Sequence, residues 1–119
     1  MTTVLVIDDD PMIRELVGSL LKMQGFYVGT EDDGDSGIAR ALHDRPDLVI
    51  TDLNMVGTDG WEIIRRLKGD PAGRLIKVVA LSAFTSSADR DEAYTAGCDA
   101  YINKPVDPND FFTKLQKLF

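Results

Sequence analysis

Five short, β-branched apolar runs alternate with five segments of helical periodicity, and few folds accept that order. Val4-Leu5-Val6-Ile7 is continuously apolar, as a strand covered on both faces should be, and it stops at Asp8. Phe26-Tyr27-Val28, Leu48-Val49-Ile50-Thr51, Ile76 to Leu81 and Ala100-Tyr101-Ile102 repeat the pattern. Helix signals fill the gaps. Asp10-Pro11 reads as an N-cap followed by proline at the first helical position. Ile13, Leu16, Val17, Leu20 and Leu21 then form an apolar stripe that closes at Gly25. Ser36 to His43 carries Ile38, Ala41 and Leu42 on one face, and Asp59-Gly60 opens a helix with Ile63, Ile64 and Leu67 on its stripe. Ser86 or Ser87 caps a fourth helix running to Gly97. Asp107-Pro108 opens the last, which buries Phe111, Phe112, Leu115 and Leu118.

Strands joined by helical crossovers run parallel, and right-handed crossovers cover both faces of the sheet. The pattern predicts an α/β fold, a doubly wound five-stranded parallel sheet with five helices. No linker or low-complexity stretch divides the 119 residues, so 1–119 reads as one domain. The segments share no repeated sequence, which excludes a solenoid.

Composition narrows the function. Thirteen Lys and Arg against twenty Asp and Glu give a formal net charge of −7, which disfavours direct nucleic-acid binding. No apolar run approaches the ~20 residues of a membrane helix, and the start has neither the basic residues nor the apolar length of a signal peptide. Cys98 is the only cysteine, so no internal disulfide forms, and a free thiol fits the cytoplasm.

In open α/β sheets, ligands bind beyond the carboxyl ends of the strands. The first strand ends in Asp8, Asp9 and Asp10, the third at Asp52 and Asn54, the fourth at Ser82 and Ala83, and the fifth at Lys104-Pro105. Only the second offers no polar group at this rim. Each residue has a plain reading: Asp10 as a cap, Asp52 as a turn residue, Ser82 as a cap, Lys104 as a surface charge and Pro105 as a turn or cis proline. Asp8 and Asp9 cannot both cap, and together the four rims make a site. Asp8, Asp9 and Asp52 would crowd one cleft, and a cation relieves such crowding. An all-oxygen donor set suits Mg2+, and the lack of paired Cys and His ligands argues against zinc. A cation, a lysine and a hydroxyl around one carboxylate can stabilise a phosphoryl group, and a carboxylate can be its nucleophile.

These residues resemble the receiver domain of two-component response regulators, the family of the chemotaxis regulators. The motifs are Asp8-Asp9, Asp52-Leu53-Asn54-Met55 with Asp59-Gly60, Leu81-Ser82-Ala83, and Tyr101 with Lys104-Pro105. Their order and spacing span essentially the whole chain. The resemblance implies a flavodoxin-like strand order 2-1-3-4-5, with Asp8, Asp9 and Asp52 at the switch point. It implies that Asp52 accepts a phosphoryl group from a histidine kinase or histidine phosphotransfer protein. Asp9, Asp52 and the backbone carbonyl of Asn54 would ligate Mg2+, with Asp8 acting through a water. Lys104 would pair with one phosphoryl oxygen and Ser82 with another. Ser82 moving toward the phosphoryl group would let Tyr101 turn inward, changing a surface from Thr85 to Phe119 for a downstream protein. Val56 stands where the family has proline, implying a softer loop. Ser82 lacks the methyl of the threonine also common at its position.

Further expectations concern single residues. Phe84 shields the phosphoryl group from water. Met12, with Ile13, Arg14 and Pro105, borders the pocket and suits a helical phosphodonor partner, although Ile13 also fits the core stripe. His43 is a solvated helix-end residue, Trp61 a packing residue, and Cys98 packs as a small hydrophobe. The chain reads as a monomer or a weak phosphorylation-dependent dimer, either stand-alone or part of a longer regulator. Three other readings stand beside this one. In an aspartyl-nucleophile phosphatase Asp8 and Asp10 would be the paired aspartates. A flavin binder fits poorly with so acidic a first loop. A pseudo-receiver would only bind partners.

Overall fold

The computed structural model describes residues 2–83 and 86–119. Five strands alternate with five helices: β1 (Thr3–Ile7), α1 (Pro11–Met23), β2 (Tyr27–Glu31), α2 (Gly34–Asp44), β3 (Leu48–Asp52), α3 (Gly60–Gly69), β4 (Lys77–Ser82), α4 (Ser87–Ala96), β5 (Ala100–Asn103) and α5 (Pro108–Gln116). All strand pairs are parallel and the order is β2-β1-β3-β4-β5, as the sequence and the resemblance led us to expect.

Alternate residues of each strand enter different cores. Leu5, Ile7, Val49, Val78, Ala80 and Tyr101 point to the face covered by α2, α3 and α4, where they meet Ile38, Ile63, Ile64, Leu67 and Ala93. Val4, Val6, Leu48, Ile50, Val79, Leu81 and Ile102 face α1 and α5, against Val17, Leu21, Phe111 and Leu115. Two dry faces on one sheet explain why the strands read as unbroken apolar runs.

The helix starts follow side-chain capping. Asp10, Asp59, Ser86 and Asp107 each accept a backbone N–H of the first turn, and Pro11 and Pro108 open their helices. Helix α2 begins earlier than Ser36, because the Asp33 carboxylate caps it by accepting Ser36 N–H. Leu16 is 42% exposed rather than part of the core stripe. Consecutive helical residues are about 100° apart, and α1 turns Val17 and Leu21 to the sheet, which leaves Leu16 at its shoulder. Strand β2 runs on to Glu31, beyond Val28. Its continuation pairs with β1, and the Arg40 guanidinium lies over Gly29 while donating to Thr30 O and Glu31 Oε2.

The expectations for single residues divide. Trp61 packs partly buried against the core, Cys98 is buried, and His43 is exposed. Phe84 and Thr85 lie outside the described residues.

Candidate phosphoacceptor site

The carboxyl ends of β1, β3, β4 and β5 bring the expected residues to one crest of the sheet. Asp8 follows β1, where its N–H still donates to Glu31 O. Its side chain is fully buried and both carboxylate oxygens are engaged. Oδ1 accepts Asp10 N–H at 2.9 Å and Oδ2 accepts Lys104 Nζ at 3.1 Å. Arg14, from the first turns of α1, donates to the Asp8 carbonyl at 2.7 Å.

Asp52, the last residue of β3, is 5% exposed. Lys104 Nζ lies 3.3 Å from its Oδ1. Burial holds the Asp52 carboxyl above its ordinary pKa and the Asp8 charge adds to this, while Lys104 and the Asn54 backbone N–H act the other way. For Lys104, burial opposes the charge, but Asp52 and Asp8 outweigh it and hold the ammonium above its ordinary value. Lys104 N–H donates to Ser82 O at 2.7 Å, and the Lys104–Pro105 bond is cis. That backbone contact fixes the lysine beside the end of β4.

Asp9 is exposed, yet it joins the cleft. Asp8, Asp9 and Asp52 each offer a carboxylate oxygen, and these oxygens lie within 4.8 Å of one another. Three acidic oxygens so close together form the donor set of a hard cation, and Mg2+ fits them. Ser82 is 1% exposed at the end of β4, in register with Asn103. Asn54 is exposed in the loop after β3. The Cα of Leu53 and the carbonyl oxygen of Asp52 crowd the first residue of α3 so closely that a Cβ on Gly60 would collide with them. This packing, with Gly60 N–H donating to Leu53 O, sets α3 against the pocket floor.

Tyr101 differs from expectation. It is already inward at 5% exposure, packed with the α2–α4 face of the sheet, so no inward turn is left for it from this conformation. Lys114 Nζ donates to its carbonyl at 3.0 Å. Met12, two residues past the Asp10 cap, is 77% exposed, whereas Ile13 packs partly buried against the α1–α5 core. Arg14's contact with Asp8, and Thr58's with Asp35, went unmarked by the sequence, because each joins residues from different elements.

The response regulator receiver domain model matches residues 4–116. The chain belongs to this family, a signalling domain of two-component systems. Among solved structures, the chemotaxis response regulator CheY4 of Vibrio cholerae superposes with a TM-score of 0.93 at 28% identity, covering 100% of this chain and 99% of that one. The receiver domain of the sensor histidine kinase PA1611 from Pseudomonas aeruginosa PAO1, with a magnesium ion coordinated in its active-site cleft, superposes at 0.90 with 25% identity, covering 98% and 96%. The probable transcriptional regulatory protein TcrX of Mycobacterium tuberculosis is 34% identical over 116 residues, 98% of this chain but 49% of that protein. The chain spans about half the length, or less, of the first curated relatives it matches. Among the described residues, no helix is long and apolar enough to cross a membrane.

Proposed function

We propose that this chain is a phosphorylation-controlled receiver in which Asp52 takes a phosphoryl group from a histidine kinase or a histidine phosphotransfer protein. The supporting observation is the Lys104 ammonium, held 3.1 Å from Asp8 and 3.3 Å from Asp52 at the crest of the sheet. A buried carboxylate pair with one fixed cation is an incomplete neutralisation, suited to a site that receives both a metal ion and an anion.

Asp9, Asp52 and the Asn54 backbone carbonyl would hold Mg2+, with Asp8 assisting through a water. When bound, Mg2+ supplies positive charge beside the phosphoryl oxygens. Asp52 attacks phosphorus: an O–P bond forms as the N–P bond of the phosphohistidine breaks. The imidazole leaves with its electron pair and takes up a proton. Lys104 then pairs with a phosphoryl oxygen, and Ser82 donates to another. Charge-assisted contacts of this kind stabilise the transferring group.

The new dianion draws Ser82 toward it, and the population of Tyr101 shifts between this inward position and an outward one. The responding surface is β5 with α4 and α5, and it binds a downstream protein. Exposed Met12 borders the entry for the phosphodonor. The lone, buried thiol of Cys98 fits the cytoplasm, where such donors act.

Incubation with acetyl phosphate and Mg2+, followed by intact mass, tests the reading. One added phosphoryl group is expected, absent in Asp52→Asn and absent after chelation. Repeated turnover of generic phosphate esters would instead mark a phosphatase.

A further inference from the structure

The segment between β3 and α3, residues 53–59, carries Asn54, two residues beyond Asp52 at the crest of the sheet. Leu53 and Met55 are anchored in the core, whereas beyond them Val56 is 92% exposed and Gly57 adopts φ +84°. The segment's far end is pinned to a different element. Thr58 Oγ1 donates to Asp35 Oδ1 in the first turn of α2 at 2.7 Å. Arg66 of α3 places Nη1 3.5 Å from the same oxygen. The backbone supplies a separate observation. A Cβ built on Gly34, the first residue of α2, would lie 2.5 Å from the Thr58 carbonyl oxygen and 2.9 Å from Thr58 Cβ. The loop therefore lies directly on the start of α2, and only glycine leaves room for it.

We propose that Thr58 is a positioning residue for the acidic pocket, with Gly34 and Asp35 as its seat. The seat holds residues 53–59 in one arrangement, so that the Asn54 backbone is fixed beside Asp52 before a cation or phosphodonor arrives. A loop that must be ordered on binding subtracts that entropy from affinity, and a loop already seated does not. The hydroxyl–carboxylate bond works from the side of α2, away from the crowded carboxylates, and so adds no donor or charge to them. This inference rests on the receiver reading of Asp52.

Calorimetric titration with Mg2+ separates this role from a general structural one. Thr58→Val and Asp35→Ala are each expected to weaken Mg2+ binding about fivefold, the consequence of losing one hydrogen bond. Thr58→Ser, which keeps the hydroxyl, is expected to bind as wild type does. The double variant Thr58→Val/Asp35→Ala is expected to be no weaker than Asp35→Ala alone, because that variant already cuts the Thr58 bond along with the Arg66 contact. Urea midpoints of the same variants are expected to stay near wild type, and should Thr58→Val fail to fold, Asp35→Ala breaks the bond from α2. Phosphorylation by acetyl phosphate at limiting Mg2+ should follow the binding order. Wild-type affinity in Thr58→Val and Asp35→Ala overturns the proposal, as does equal loss in Thr58→Ser. A wild-type chain that binds no Mg2+ and accepts no phosphoryl group overturns the receiver reading itself.

Discussion

The Lys104 ammonium lies 3.3 Å from Asp52 Oδ1, and this one contact joins the end of β5 to the end of β3 across β4. It is the only cationic side chain bridging the two buried carboxylates among the described residues. Replacing it with Ala removes the donor aimed at the transferring group. Phosphorylation from acetyl phosphate is expected to slow by about a hundredfold, as for loss of one preorganised donor. A rate within about twofold of wild type would show that Lys104 only balances charge at rest.

Divalent cation binding should appear as stability. Whatever binds the folded state alone stabilises it by mass action, about 2.7 kcal/mol at a hundredfold excess over the dissociation constant. Mg2+ is therefore expected to raise the melting temperature of the wild-type chain, and EDTA to reverse the rise. In Asp9→Asn the rise should shrink or vanish. An equal rise in both would move the cation site away from Asp9.

Cys98 gives a pH signature remote from the pocket. Burial, with some help from Asp99 and against Lys68, pushes its thiol up to about 12. The unfolded thiol titrates near about 8.5. The folded state thus keeps a proton that the unfolded state releases. The contribution to stability is complete below about 8.5 and is lost as pH rises toward about 12. Urea midpoints measured across this window should fall more steeply for wild type than for Cys98→Ala. Parallel curves would contradict the burial of the thiol.

Phe111 is fully buried and edge-packed on Phe112, the rings 5.7 Å apart. Phe111→Ala is expected to cost about 3–5 kcal/mol, read from urea unfolding. A loss under about 1 kcal/mol would mean that α5 is not seated as described.

What the sequence could show follows the physics of each element. Buried parallel strands must be continuously apolar, and a charged residue stops them, so Asp8 and Asp52 marked both the strand ends and the pocket. Asp10 and Asp107 were readable because a cap and a helix-opening proline are adjacent in the chain. Leu16 misled because i, i+3 spacing gives a stripe but not its centre, which only packing on the sheet decides. Strand β2 was cut short because Gly29 weakens a strand by itself, and its continuation depends on pairing with β1 and on cover from Arg40. The Thr58–Asp35 bond spans 23 residues and leaves no local pattern. The inward position of Tyr101 depends on packing against the α2–α4 face, which residue type and local pattern do not fix.

Borohydride reduction of the phosphorylated chain, followed by peptide mass mapping, identifies which carboxylate carried the acyl phosphate. Reduction converts a phosphorylated aspartate to homoserine. Homoserine at position 52 alone is the expected result. Homoserine at position 8 or 9, or none after a phosphoryl group has been shown to attach, would contradict the assignment of Asp52 as the acceptor.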